Sequence, residues 1–375
     1  MAGIYIHIPF CKQSCNYCDF HFSTQLNSIP DLIHAINKEL ILKKQYLNNE
    51  KIETIYFGGG TPSLLDIKFI EQIITTIHLN FNVAENIEFT LEANPDDLSK
   101  EKINALKQLG VNRLSIGIQS FIDQELRWMN RTHSALQSIT SIMDAQDQGI
   151  DNISIDLIYG SKFQTLDAWK KNVSQAIELQ IPHISAYNLT IEEKTLLGKL
   201  NKKGIEPSVN DEFSMECFYV LMDNAEKANF IHYEISNFGK EGFFSKHNSN
   251  YWKGIHYLGI GPSAHSYNGN SRKWNLSNNA QYIKLINSGK PISTTEELSK
   301  TTQYNEYVLT RLRTVWGVEK NFILQNFGND YLLHFEKEMI KYVNSGDCES
   351  DGDLYFLTRK GKQIADKISS DLFKL

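Results

Sequence analysis

Short apolar or β-branched runs recur along the first half of the chain, each followed by a longer stretch in which apolar residues return every three or four positions. The runs at 4–8, 54–58, 87–93, 113–118, 153–158 and 183–188 read as strands. The stretches at 31–46, 67–79, 100–109, 134–148 and 166–179 read as amphipathic helices, the first entered through Ser28 and Pro30. Six βα units in a row imply a parallel α/β sheet with helices outside, as a partial (β/α)6 barrel or a flat doubly wound sheet. In both, ligands gather at the carboxyl ends of the strands, and nearly every unusual residue here falls just after a strand.

After about residue 205 the pattern changes. A long helix is expected at 212–229, an irregular aromatic-rich stretch at 232–267, and charged helices beyond Pro291. A hairpin signal surrounds Asp351-Gly352-Asp353, and a last helix follows from Lys360. The expected organisation is a barrel over 1–205, a bridging segment over 206–290 that completes it, and a smaller, mostly helical domain over 291–375 of winged-helix-like shape. In that last part Lys and Arg are balanced by Asp and Glu, which favours packing or covering over DNA binding.

Charge and composition narrow the function. A formal net charge of -6 argues against a general nucleic-acid binder. No long apolar run implies a transmembrane helix, and the N-terminus lacks the features of a signal peptide, so a cytoplasmic location is expected. Five cysteines are too few and too unevenly placed for a disulfide scaffold. Cys217 and Cys348 stand alone and read as buried thiols.

Cys11, Cys15 and Cys18 crowd into one loop directly after the first strand. Thiolates are soft ligands suited to iron–sulfur clusters and to zinc. Three on one loop can wrap one face of a cubane and leave its fourth iron open to a small molecule. The zinc alternative would recruit His7 or His21 as fourth ligand. Zinc sites of that kind pair two C-x2-C units, however, and no second pair exists here.

At these residues the chain resembles the radical-SAM superfamily, in the branch of oxygen-independent coproporphyrinogen III oxidase and its haem-chaperone relatives. The segments IYIHIPFCKQSCNYCDF, YFGGGTPS, LEANPDD, LSIGIQSF, MNRTH and DLIYG carry the resemblance in order, over essentially the whole chain. It implies a [4Fe–4S] cluster on the three cysteines and S-adenosylmethionine held by Tyr5, Tyr17, Gly59, Gly60, Thr61, Glu92, Gln119, Arg131 and Asp156. Elementary chemistry suits these types. Glycines let backbone approach a ligand closely, Glu92 can accept from a ribose or an amino group, and Arg131 can clamp a carboxylate. Tyr187, closing the sixth strand, can stack on adenine. His7 matches a family position near the cluster.

Departures from the oxidase pattern shape the functional expectation. Phe20 stands where the oxidases carry a fourth cysteine, and the chain starts with its first strand almost at once, without the oxidases' N-terminal extension. Residues 247–252 match the HNxxYW motif of the haem-chaperone branch. The resemblance therefore implies haem as cargo, with His247 as iron ligand and His265 as runner-up, and Tyr251 and Trp252 packed on the macrocycle. The implied function is a haem chaperone that passes haem to acceptor proteins, with room for a homodimer. The alternatives are oxidative decarboxylation of coproporphyrinogen III through a 5′-deoxyadenosyl radical, or a cluster protein that only senses redox state.

Overall fold

A computed structural model describes residues 1–375. In its first half β1 (Ala2–Ile8), α1 (Ile29–Leu42), β2 (Ile52–Gly59), α2 (Ile67–Asn80), β3 (Val83–Ala93), α3 (Lys100–Gln108) and β4 (Arg113–Gln119) follow in turn. Next come α4 (Asp123–Trp128), α5 (Ala135–Asp147), β5 (Ile153–Tyr159), α6 (Leu166–Glu178) and β6 (His183–Asn188). The six strands lie side by side in chain order, every neighbouring pair parallel. A doubly wound sheet would reverse its order at a switch point; this sheet does not, so the partial barrel is the correct one of the two alternatives.

Alternation along each strand sorts residues between two environments. Ile4, Ile6, Ile8, Phe57, Leu91, Leu114, Ile116, Ile118, Ile153, Ile155, Leu157 and Ile184 are buried and belong to one cluster of 54 residues beneath the outer helices. The opposite face lines the barrel interior and is largely polar. Its register aligns Tyr5 with Tyr56, Tyr56 with Thr90, and Thr90 with Arg113. The next row aligns His7 with Gly58, and Glu92 with Ser115, Ser154 and His183 in succession. Asp156 faces Ser185 one step further along. Side-chain caps fix several helix starts: Ser99, Ser134 and Thr165 each accept a backbone N–H of the first turn.

The stretch expected to be irregular is folded. After α7 (Leu196–Lys202) and α8 (Asp211–Lys227) come β7 (Ile231–Glu234), β8 (Asn237–Gly239), α9 (Lys246–Trp252), β9 (His256–Ile260), β10 (His265–Tyr267), β11 (Ser271–Asn275), α10 (Asn279–Asn287) and β12 (Ser293–Glu297). β9 pairs parallel with β1, and β8 antiparallel with β6, so residues far along the chain extend the barrel sheet at both edges to 12 strands. Strands of three to five residues carry too little alternation to be read locally.

The C-terminal part contains α11 (Lys300–Leu312), β13 (Val318–Glu319), α12 (Lys320–Phe327), α13 (Asn329–Asn344), β14 (Cys348–Asp351), β15 (Leu354–Leu357) and α14 (Ala365–Asp371). Its three strands form a separate small sheet, and it packs a second core of 14 buried residues that includes Tyr304, Val308, Phe335 and Met339. Arg313 ties it to the barrel, with Nη2 3.3 Å from the buried Glu234 carboxylate and Nη1 2.6 Å from Asp366. Cys217 and Cys348 are both buried, in the first and second cores respectively. No helix is long and apolar enough to cross a membrane.

Candidate functional site

The cysteine loop leaves β1 at the carboxyl end of the barrel and is tied down from several sides. Cys11 N–H donates to Ser23 O at 3.1 Å and Asn16 N–H to Met129 O at 3.2 Å. The Asn16 amide donates to Trp128 O at 2.6 Å, and Asn130 Nδ2 to Ser14 O at 2.7 Å. Lys12 pairs with Asp96 at 2.8 Å and with Asp97, both in the LEANPDD segment. Two donors point at sulfur: Thr61 Oγ1 to Cys11 Sγ at 3.4 Å, and Arg131 Nη1 to Cys15 Sγ at 3.3 Å. Burial, with the other two thiols adding, pushes the Cys18 thiol up to about 11, and metal would displace that proton.

The donor set fits an iron–sulfur cluster. All three thiols are partly exposed and within electrostatic reach of one another. No group of three His, Cys, Asp or Glu side chains converges as a cage for a single metal ion. Both imidazoles of the zinc alternative have other partners. His7 Nδ1 lies 3.2 Å from Tyr5 OH and Nε2 3.1 Å from His21 O, while His21 Nε2 lies 2.8 Å from Asn279 Oδ1. Phe20 is 74% exposed.

Beside the cysteines lie the residues expected to hold S-adenosylmethionine. Gly59 has φ +109, and a Cβ there would come 2.5 Å from the His7 ring. A Cβ on Gly60 would meet backbone, Phe10 O at 2.7 Å and Ile8 O at 2.8 Å, which cannot swing aside as a side chain could. Gly60→Ala is therefore expected to push the cysteine loop away from β2, lowering stability by roughly 1–3 kcal/mol and weakening cofactor binding. Thermal melting and a cofactor titration check it; an unchanged pair of values would show that the loop yields freely.

Glu92 accepts from Tyr56 OH at 2.8 Å and from Gly59 N–H at 3.1 Å. Burial pushes its carboxyl up to about 7, against the Tyr56 hydrogen bond and with help from the Asp156 charge. Asp156 rises to about 6 through burial, opposed by Ser185, Arg113 and Arg131. Gln119 is buried in the left-handed region at φ +66, beside a register shift between β4 and β5. Tyr17 packs on the Met129, Ile158, Leu189 and Leu197 cluster, and Tyr187 stands half-exposed at the mouth. Behind the loop a cavity of about 440 Å³ opens between Trp128, Leu189, Leu197 and the Lys162–Glu206 pair.

Arg131 stands differently from its expected role as a clamp. Besides Cys15, its guanidinium donates through Nη2 to Asn94 Oδ1 and Gly117 O, both at 2.7 Å, and its Nε has no protein partner. Asn94 in turn donates to Thr61 Oγ1 at 3.3 Å. Asn94 thus joins the residues that touch Cys11 and Cys15. Nothing local in the LEANPDD segment marks this residue, because its partners Thr61 and Arg131 come from other loops.

His247 lies at the other end of the barrel and is 2% exposed. Nδ1 is 2.8 Å from Thr54 Oγ1, Nε2 is 2.9 Å from Tyr251 OH, and the ring stacks on Tyr56 at 5.0 Å. Burial, with Arg113 adding, lowers its pKa to about 3, so the imidazole is neutral. The N–H groups of Lys246 and His247 donate to the two oxygens of Glu88, each at 2.9 Å. Helix α9 thus plugs the amino end of the barrel. Trp252 faces the C-terminal part, with Arg313 over its ring at 5.7 Å. His265 is exposed at the edge of β10, its ring 6.3 Å from Trp274, and lies within electrostatic reach of His7. The cysteine loop and His247 are therefore at opposite ends of the barrel, while Tyr5, expected to hold the cofactor, lies between them with its ring 6.3 Å from that of His247.

Comparison with known proteins finds relatives over nearly the whole chain. The model of the radical SAM superfamily matches residues 5–176. A heme chaperone HemW of Bacillus subtilis strain 168 is 34% identical over 371 residues, 98% of each chain. Another from Lactococcus lactis is 35% identical over 97% of this chain and 95% of its own. Among solved structures, the coproporphyrinogen III oxidase HemN of Escherichia coli, a radical SAM enzyme, superposes with a TM-score of 0.88. At 20% identity, over 100% of this chain and 90% of that one, the likeness concerns the fold.

Proposed function

Because the chain belongs to the HemW heme-chaperone family of the radical SAM superfamily, we propose that it is a haem chaperone whose cargo is bound by the HNxxYW helix and delivered to an acceptor protein. Cys11, Cys15 and Cys18 hold a [4Fe–4S] cluster, and Gly59, Gly60, Glu92, Gln119 and Asp156 hold S-adenosylmethionine. The observation that carries the cofactor assignment is the three-thiol loop with Arg131 and Thr61 donating to its sulfurs. When bound there, the cluster would offer one iron free of protein ligands to the cofactor.

The protein's own residues set the conditions for that binding. Thr61 and Arg131 donate hydrogen bonds to the sulfurs of Cys11 and Cys15 and so orient them. Glu92 and Asp156 present carboxyls to the cofactor's cationic groups, and Tyr17 offers an apolar wall. For the cargo, His247 supplies a neutral imidazole, the form that ligates iron. Both of its nitrogens are occupied in the closed barrel, so α9 must withdraw before His247 can reach haem.

A cation selects the ionised carboxylate, so S-adenosylmethionine binding must expel the proton that Glu92 holds below about pH 7. Affinity is expected to fall about tenfold from pH 8 to pH 6, the direction set by a raised carboxyl pKa. Calorimetric titration across that range checks it, and a flat profile would remove Glu92 from the cofactor. The function itself is tested by hemin titration of the cluster-loaded protein with and without the cofactor, beside an assay with coproporphyrinogen III. About one haem per chain and no porphyrinogen conversion are expected. Formation of protoporphyrinogen would establish the oxidase instead.

A further inference from the structure

Arg113 opens β4 on the inner face of the barrel and is 1% exposed. A guanidinium this far from water is ordinarily paired, because an isolated buried charge is expensive. Arg113 has no carboxylate within ion-pair distance, and its Nε is a buried donor without a partner. The hydroxyl of Thr90, its neighbour in register, is likewise buried without a partner.

Titratable groups face Arg113 from every surrounding element: Tyr56 on β2, Glu92 on β3, Asp156 on β5, His183 on β6, Tyr233 on β7 and His247 on α9. Most of these cannot balance it. Burial keeps both phenols and both imidazoles neutral. His183 is also bonded on both sides, to Ser154 Oγ at 2.7 Å and to Tyr233 OH at 2.8 Å. Glu88, lower on β3, is taken up by the two amides that begin α9. Glu88 is thereby fixed toward the amino end, and on the carboxyl side of Arg113 the carboxyl groups that face it are Glu92 and Asp156.

We infer that Arg113 is a positioning residue for the sulfonium cofactor, the fixed counter-charge that readies Glu92 and Asp156 for the cofactor's cationic groups. The inference rests on the assignment of those two carboxylates to S-adenosylmethionine. Distance is part of the device. A contact ion pair would occupy the carboxylate oxygens and draw them toward the barrel floor. A cation one register row below Glu92 and two below Asp156 leaves them free, and in a poorly screened interior it still favours their ionisation. The same charge discourages protonation of His247 on the far side. One buried arginine therefore acts on both ends of the barrel without touching either ligand.

The test is S-adenosylmethionine binding to cluster-loaded protein between about pH 6 and pH 9, read by calorimetry and by the paramagnetic resonance of the reduced cluster. Arg113→Gln is expected to weaken binding about tenfold at neutral pH and to recover at the alkaline end, its midpoint moved up by roughly one unit. Arg113→Lys stays close to the unaltered protein. A loss equal at every pH makes Arg113 a packing residue and overturns the inference, as does no loss. Glu92→Gln and Asp156→Asn separate the two levels of the claim. If neither weakens binding, the cofactor assignment fails; if they do and Arg113→Gln does not, the inference alone fails. Should Arg113→Gln not fold, infrared spectra of the ligand-free, unaltered protein decide. The carboxyl bands that disappear in Glu92→Gln and Asp156→Asn must be lost to ionisation by about pH 8, and their persistence overturns the inference.

Discussion

Replacing any one of Cys11, Cys15 and Cys18 by alanine is expected to abolish the iron–sulfur centre, while Cys217→Ala and Cys348→Ala are expected to leave it intact. The expected unaltered content after anaerobic reconstitution is about four irons and four sulfides per chain. Complete loss is expected because both nearby imidazoles have other partners and no further thiol lies in the loop. Cys217 and Cys348 are packed in apolar cores, and removing either sulfur costs roughly 1 kcal/mol of packing. Iron and sulfide analysis with thermal melting separates the two classes. Retention of a full cluster in Cys15→Ala would require a ligand from elsewhere. Zinc at full occupancy with no iron uptake would refute the cluster altogether.

The second large effect concerns haem. His247→Ala is expected to remove the native haem spectrum and to leave iron–sulfur content unchanged, because His247 and the cysteines lie at opposite ends of the barrel. Glu88→Ala acts on the same ligand in the opposite sense. It deletes two charge-assisted hydrogen bonds at the start of α9, each worth on the order of 1.5 kcal/mol or more. The helix then leaves the barrel more often, and haem uptake accelerates by about tenfold or more, since ~1.4 kcal/mol is a factor of ten. Stopped-flow mixing with hemin measures it. An unchanged rate in Glu88→Ala would mean that haem reaches the protein without α9 opening, and an unchanged spectrum in His247→Ala would move the ligand elsewhere, with His265 the next to replace.

The separation of these two sites marks where local sequence stops being informative. Cys11, Cys15 and Cys18 are neighbours on one loop, so their common purpose is written in their spacing. Glu92, Gln119 and Asp156 are far apart in the chain, yet each lies on a strand that a short apolar run announces. The rule that ligands gather at carboxyl ends then collects them. Arg131 was legible as a site residue but not in its bonding. That Nη1 faces Cys15, with Asn94 and Gly117 O behind it, depends on how two loops from different strands meet.

His247 shows the limit most clearly. The HNxxYW motif resembles a haem site, and nothing in the segment reveals that β1, β2 and β3 close around it. Thr54 and Glu88, which hold the ring and the helix, are 193 and 159 residues away. Arg113 is similar: at the head of an apolar strand it looks like an edge residue, and only the curvature of the sheet makes it the centre of a polar interior.

By itself the sequence determined the βα alternation, the parallel sheet, the helix starts and the thiol loop. Each of these follows from interactions among residues a few positions apart: apolar periodicity, capping, and ligand spacing on one turn of chain. Tertiary structure alone decided that β9 joins β1 and β8 joins β6, that His247 is enclosed, and that an unpaired Arg113 faces Glu92 and Asp156. Those outcomes rest on strand pairing and on charges brought together across a closed barrel wall, where low dielectric makes a neighbour one register row away matter more than one next in the chain.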